Sequence, residues 1–361
     1  MHWHWLHPLV ARPGQGAAFL ALAVLVALAV DRVWGEPPAR WHPVVWMGQA
    51  LGACGRWVAP TASTGRDLKG FWLAALFWCA LAAIVIIVSA LLQAAVLYVW
   101  GAPTEVCEVI VDMPGLGLEG ASAVGGVLRF LLAALLLGVL LKPLFAFRLL
   151  LREVRAVEDA LARSLGEGRA RLAWLVSRDV TQLSADEVRQ SAIESLAENL
   201  NDSVVAPLFW FAVAGLPGAA LYRLANTADA MWGYRGMREG RYWEWAGKWA
   251  AHADDVLSWL PARITALLLA LAGRGVRPRA LAREARRTPS PNSGWPMAAM
   301  ALALDVRLTK PGVYQLHAQG RAPGAPDVAR AETVASKVVM AIAGIAGAAI
   351  VIVVIEGVWN V

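Results

Sequence analysis

Six long apolar runs constrain this chain more than anything else in it. They lie near residues 17–34, 71–100, 124–147, 204–221, 256–272 and 338–355. A bilayer core about 30 Å thick takes roughly 20 residues of α-helix, so runs of this kind read as transmembrane or re-entrant segments. Composition agrees. Of the 361 residues, 58% are hydrophobic and 17% charged, against about 25% charged in soluble domains. The expectation is an all-α, polytopic helical integral membrane protein, one membrane domain over 1–361, with cytoplasmic helical loops. The fourth run contains Pro207, Gly215, Pro217 and Gly218. These mark a broken or re-entrant helix, tolerated where protein or a wet cavity covers the freed backbone. Ala27-Leu28-Ala29 resembles a signal-peptide cleavage site, but Arg12 alone charges the preceding region, which favours a retained first helix.

Charge gives the orientation. Residues 31–70 hold Arg32, Arg40, Arg56, Arg66 and Lys69, and residues 148–200 and 274–330 are rich in Arg. Residues 101–123 hold Glu105, Glu108, Asp112 and Glu119 with no basic residue. The positive-inside rule then places 35–70, 148–203 and 273–337 in the cytoplasm and 101–123 outside. These agree only if 204–272 crosses an even number of times or folds in as two re-entrant segments, and both remain open. The net charge of +6 suits loops near anionic lipid. No basic helix interleaved with aromatics points to nucleic acid.

Several motifs carry less. Cys54, Cys79 and Cys107 have no metal or redox spacing. His2, His4 and His7 alternate with Trp3 and Trp5, which suits an interfacial anchor better than a Zn or Cu site. Gly115, Gly117 and Gly120 match a dinucleotide fingerprint in form, but no βαβ context surrounds them, so a flexible loop is expected. Leu151, Val154, Val157, Leu161 and Leu165 form a helical apolar stripe ending near Gly166 and Gly168. Residues 320–328 read as a mobile loop.

The chemistry concentrates in acids. Glu194, Glu198 and Asp202 are spaced four and four. On a helix they share one face over about 12 Å. Ser184 and Glu187 form a capping box that opens this helix. A charge carried to mid-membrane costs roughly 2.5–3.5 kcal/mol, so such residues usually have a function. Like charges this close repel unless a cation or shared proton relieves them. A divalent-ion or substrate site where water meets membrane follows. Asp229, beside Asn226, and the pair Asp254-Asp255 lie at other apolar mouths. Together with Glu194, Glu198 and Asp202 they suit one Mg²⁺-nucleotide, an oxygen-ligand task. For Asp254-Asp255 alone, the alternative is charge at a helix N-terminus. His42 follows the turn Gly35-Glu36-Pro37-Pro38, either as a site residue or in a helix-exit turn. Arg283, Arg286 and Arg287 precede Ser290-Pro291-Asn292 and suit either phosphate or the positive-inside bias.

In order along the chain, these motifs resemble the CobD/CbiB family, the adenosylcobinamide-phosphate synthases. The resemblance runs through Asp31, Gly35-Glu36-Pro37, His42-Pro43-Val44, Met47-Gly48 and Ser177-Arg178-Asp179. It continues through Glu194 to Asn199, Asp202 to Trp210, Gly215 to Ala219 and Asn226 to Tyr234. Asp254-Asp255-Val256, Trp259, Pro261 to Arg263, and Ser290 to Met297 complete it. The family usually has Gly-Asp-Pro, Leu-Asp-Ser and Ser-Asp-Gly where this chain has Gly35-Glu36-Pro37, Ala228-Asp229-Ala230 and Asn201-Asp202-Ser203. A carboxylate survives each time.

The resemblance implies an ATP- and Mg²⁺-dependent carbon–nitrogen ligase in the bacterial inner membrane, its active site facing the cytoplasm. The corrinoid adenosylcobyric acid would be joined through an amide bond to aminopropanol phosphate or an ethanolamine analogue. It implies Glu194, Glu198, Asp202, Asp229 and Asp255 as catalytic residues. Glu194, Glu198, Asp202, Asp254 and Asp255 are the implied Mg²⁺ ligands. His42, Arg178, Asn199, Asn226, Arg263, Asn292 and Trp295 are the implied substrate or phosphate contacts. Besides the lipid bilayer, the membrane-bound cobalamin synthase of the next steps is a candidate partner. Two rival readings are a non-catalytic AmpE-like membrane regulator and a divalent-metal transporter; the chain lacks the repeated halves common in transporters.

Overall fold

The computed structural model describes residues 13–62, 65–101, 118–273 and 275–359. His2, His4, His7, Cys107, Gly115 and Gly117, with the acids Glu105, Glu108 and Asp112, lie outside the described residues. The described residues are mostly helical, and among them strand is confined to two small hairpins and one bridge. Apolar helices come first: α1 (Pro13–Val33), α2 (Pro43–Val58), α3 (Leu68–Gly101) and α4 (Leu118–Leu141). A polar helical layer follows, with α5 (Phe147–Arg163), α6 (Leu165–Leu172) and α7 (Ala185–Leu200). The chain then re-enters apolar sequence in α8 (Ala206–Trp232) and α9 (Lys248–Gly273), passes through α10 (Pro278–Ala285) and α11 (Gly294–Leu304), and leaves in α12 (Ala325–Trp359). The hairpins are β1–β2 (Met237–Arg238, Arg241–Tyr242) and β3–β4 (Leu308–Lys310, Tyr314–Leu316).

Among the described residues, six helical stretches are long and apolar enough to cross a membrane: Gly14–Val33, Leu68–Gly101, Gly125–Arg163, Ala185–Trp232, Lys248–Gly273 and Ala325–Glu356. This is a multi-pass membrane protein. Many leucines, isoleucines and valines of α3, α4 and α12 face outward, as on a surface solvated by lipid.

One of the six does not run straight. At 1.5 Å per residue, an unbroken helix would hold residues 202 and 223 about 31 Å apart. Instead Arg223 Nη1 donates to Asp202 O at 3.1 Å. The chain turns back at Ala214 (φ −134°, ψ 19°) and Gly215 (φ 64°, ψ −155°). Gly215 occupies backbone space that is essentially glycine-only, and a Cβ there would also overlap the Gln93 amide. The break frees the Leu216 N–H, and Oε1 of Gln93, buried on α3, accepts it at 2.7 Å. Such pairing is obligatory for irregular backbone at membrane depth.

The returning limb leads to residues 233–247, which meet the segment after α2. Tyr242 N donates to Pro60 O at 2.7 Å, Arg241 Nη1 to Ala59 O at 2.7 Å, and Arg66 lies over the Trp245 ring. Residues 233–247 and the described residues 59–62 and 65–66 therefore share one side of the molecule.

In the polar layer, Val154, Val157 and Leu161 of the stripe are buried, but Leu151 is half-buried, with Leu150 buried beside it, and Leu165 is exposed. The helix ends at Arg163, before the glycines expected to end it, because Ser164 caps a new helix through Glu167 N. Gly168 lies within α6 and lets that helix close on Leu161. Residues 320–328 are tethered rather than free: Asp327 accepts from Arg321 (2.6 Å twice), Arg330 (2.9 Å) and Gly324 N (2.8 Å).

Candidate active site

The acidic helix α7 opens with the capping box, Ser184 accepting from Glu187 N while the Glu187 carboxylate accepts from Ser184 N at 2.7 Å. Its regular register stops before Asp202. Residues Asn201–Val205 form one π turn, in which Ala206 N donates to Asn201 O. This displaces Asp202 from the face it would share with Glu194 and Glu198 on an ideal helix, and it frees the Asp202 carbonyl. Arg223 takes that acceptor. Pro207 has no N–H for Ser203 O, and Ala146 N, just before α5, supplies 2.9 Å instead. Single π turns occur often at functional sites.

The acids consequently divide. Glu194 and Glu198 line a small polar cleft with Ser191, Arg178, Lys310 and Tyr314. Arg178 Nη2 donates to Glu194 Oε2 (2.8 Å) and Ser191 Oγ (2.6 Å). Burial, then the charges of Glu194 and Glu198, push the Tyr314 hydroxyl far above its ordinary value, so it stays protonated. Asp202, within the π turn, accepts from Asn201 (2.7 Å) and faces the Tyr222 hydroxyl at 3.5 Å. Asn226 Nδ2 lies 3.4 Å from Asp254 Oδ1, and Ser258 links Asp254 to Tyr222. Asp229 stands within electrostatic reach of Asp202 and Asp255. Glu198, within reach of Glu194, Asp202, Asp229 and Lys310, joins the two groups. Asp254 and Asp255 lie about two turns inside α9, so a helix N-terminus does not account for them.

His42 belongs to a third cluster. Its Nε2 pairs with Glu36 at 3.1 Å, and buried Lys142 reaches Glu36 (2.8 Å) and Asp31 (3.1 Å). Burial works to raise the Glu36 carboxyl, but hydrogen bonds from His42 and Lys142 outweigh it and hold the group below its ordinary range. Arg223 lies within electrostatic reach of Glu36, Asp202 and Asp254, tying this cluster to the acids.

The remaining candidates are more structural in their contacts. Arg263 binds Asn292 Oδ1 (2.6 Å) between the Trp259 and Trp295 rings, and Asn292 Nδ2 holds Asp255 O at 2.7 Å. Asn199 donates to Ser195 O (2.9 Å), along its own helix. Arg283 and Arg287 turn to buried Glu284. Trp210 donates to Leu257 O and Trp232 stacks on Trp243. Tyr222, Arg223, Lys142, Lys310 and Tyr314 escaped the sequence reading. Lys142, within the apolar run 124–147, and Arg223, at the end of the run 204–221, carried a visible signal.

Among the described residues, no three Asp, Glu, His or Cys side chains stand together as a ready-made ion cage. Mg²⁺ arriving on a nucleotide needs only one or two protein carboxylates, with water and phosphate completing its shell. The hard oxygen donors at Asp202 and Asp254 suit an ion carried in with substrate.

Comparison with known proteins identifies the family. The family model described as CobD/Cbib protein matches residues 24–343. A probable cobalamin biosynthesis protein CobD of Methanothermobacter thermautotrophicus is 38% identical, aligned over 81% of this chain and 85% of its own length. The cobalamin biosynthesis protein CobD of Chromobacterium violaceum is 39% identical over 80% of this chain and 81% of its own. That of Rhodobacter capsulatus is 36% identical over 81% and 83%. No solved structure matches the chain. With a family model spanning most of its length and relatives aligned along four-fifths of it, this chain belongs to the CobD/CbiB family.

Proposed function

We propose that this protein is an ATP-dependent ligase of cobalamin biosynthesis, joining adenosylcobyric acid to aminopropanol phosphate, or its ethanolamine analogue, through an amide bond. The family match and the names of its relatives support the pathway. The observation that carries the reaction class is the meeting of carboxylates from α7, the π turn, α8 and α9 around Arg223 and beside Arg178 and Lys310.

A carboxylate is a poor electrophile. In the proposed reaction a carboxylate oxygen of the corrinoid attacks the γ-phosphorus of Mg²⁺-bound ATP, forming an O–P bond as ADP departs. The amine then attacks the acyl carbonyl, expelling inorganic phosphate and losing a proton. Positioning and charge neutralisation dominate such transfers. Asp202 and Asp254 would hold Mg²⁺, with Asp229 and Asp255 setting the field around them. Arg223 would meet phosphate charge, and Glu198 would accept the ammonium proton. The site would face the cytoplasm of the inner membrane, where ATP is available. The contacts of Arg148 with Asp31 and Val33, and of α7 with β3, bring the three Arg-rich regions together.

The test uses adenosylcobyric acid labelled with ¹⁸O in its reacting carboxylate. One labelled oxygen should emerge in inorganic phosphate for each amide formed. Unlabelled phosphate accompanying amide formation contradicts the acyl-phosphate route.

A further inference from the structure

The cleft beside α7 has a charge arrangement that the acids alone do not explain. Its volume is about 140 Å³, well below the roughly 300–1,000 Å³ of pockets for drug-sized ligands. A nucleotide or a corrin does not fit within it. Glu194 is 5% exposed, and its Oε1 accepts no hydrogen bond. Arg178 Nε and Nη1 are buried and have no acceptor. Across from them, Lys310 of β3 and Glu198 of α7 feel one another's charge without closing into an ion pair. Buried polar atoms normally find partners, and each exception calls for an explanation. Here two cations and two carboxylates line a space of a few atoms' width, with donors and an acceptor left over on both signs.

We propose that this cleft binds a small zwitterion carrying an ammonium at one end and a phosphate at the other. Glu198 and Glu194 Oε1 receive the ammonium, and Lys310 with the free edge of Arg178 receives the phosphate. Phosphate fits better than a carboxylate because a dianion matches two cations and the parallel N–H groups of a guanidinium. The Tyr314 hydroxyl, standing beside Glu194 at the turn of the β3–β4 hairpin, adds a neutral donor. The inference rests on the ligase reading only in equating this ligand with the amine substrate. It assigns that substrate to Lys310, Arg178 and Glu198, apart from the Asp202–Asp254 group.

The experiment measures binding of O-phosphoethanolamine to the full chain in nanodiscs, without nucleotide or corrinoid, against ethanolamine and inorganic phosphate as its two halves. The zwitterion should bind at least about tenfold more tightly than either half. Lys310→Met should weaken it about 10- to 100-fold, as expected for a lost charged hydrogen bond, and Lys310→Arg should restore most of the affinity. Wild-type affinity in Lys310→Met, or inorganic phosphate binding as tightly as the zwitterion, overturns the assignment. In turnover, Lys310→Met should raise KM for the amine phosphate and leave KM for ATP unchanged. If the wild type binds the zwitterion yet never forms an amide with it, the ligase reading fails and the cleft stands. If the wild type turns over and Lys310→Met leaves KM for the amine unchanged, the cleft assignment fails and the ligase reading stands.

Discussion

Glu198 is the residue on which the two acidic groups meet, four positions from Glu194 and from Asp202, with Lys310 across the cleft. Replacing it with Gln preserves shape and removes the charge. Product formation should fall at least about 100-fold, the usual scale for loss of a general base, while the size-exclusion profile in detergent stays that of the wild type. Full turnover in Glu198→Gln removes it from the chemistry. Lys142 makes a different demand. It is about 3% exposed and compensates both Asp31 and Glu36, so Lys142→Met leaves buried Asp31 without its cation and Glu36 with His42 alone. Breaking a buried pair in this way costs about 3–5 kcal/mol, read as a lower unfolding temperature in detergent. Glu36 adds a pH dependence. Its folded carboxyl lies below its ordinary value of 4.5. Its contribution is therefore present above about pH 4.5 and lost as pH falls through the lower folded value. Melting temperatures of the wild type and Glu36→Gln should converge in that acidic window. Among these residues the acids were legible, because spacing four beside an apolar run is a local pattern. Their basic and hydroxyl partners were not. Lys142 reaches Glu36 across 106 positions, and Lys310 reaches Glu198 from a hairpin that no periodicity announces.

At the scale of elements, the turn in α8 places Asp202 against Arg223. Gly215→Ala meets both a glycine-only backbone and the Gln93 amide, and should destabilise the protein by about 1–3 kcal/mol or more. Gln93→Leu leaves the Leu216 N–H without its acceptor, at about 1–3 kcal/mol. Thermal unfolding of both variants checks this, and wild-type stability in both contradicts the reversal. The direction of return has its own test. A cysteine introduced at Arg238 should label from the same side of the membrane as one introduced at Ala62, since residues 233–247 contact 59–62 and 65–66. Opposite labelling places a membrane between segments that touch. Proline and glycine marked the break in the sequence, because only those residues change what the backbone can do there. That the chain turns back depends on Gln93, over a hundred positions earlier, so local reading left crossing and re-entry open. The stripe of α5 was clear as far as Leu161, where Ser164 ended it by capping α6.

The molecule as a whole is a membrane-spanning bundle with a polar helical layer, and the acids meet where the two join. Apolar length alone determined the class, since few folds can bury such runs. The partition of the acids into two groups required the π turn at Asn201–Val205, which an ideal helical register does not foresee. The central claim is amide formation, and the mass of the corrinoid product tests it most directly. Purified protein in nanodiscs, given ATP, Mg²⁺, adenosylcobyric acid and aminopropanol phosphate, should convert the corrinoid to a species heavier by the amine phosphate less one water. Omitting ATP should abolish the conversion. A corrinoid mass unchanged by active, folded protein, with all four components present, contradicts it.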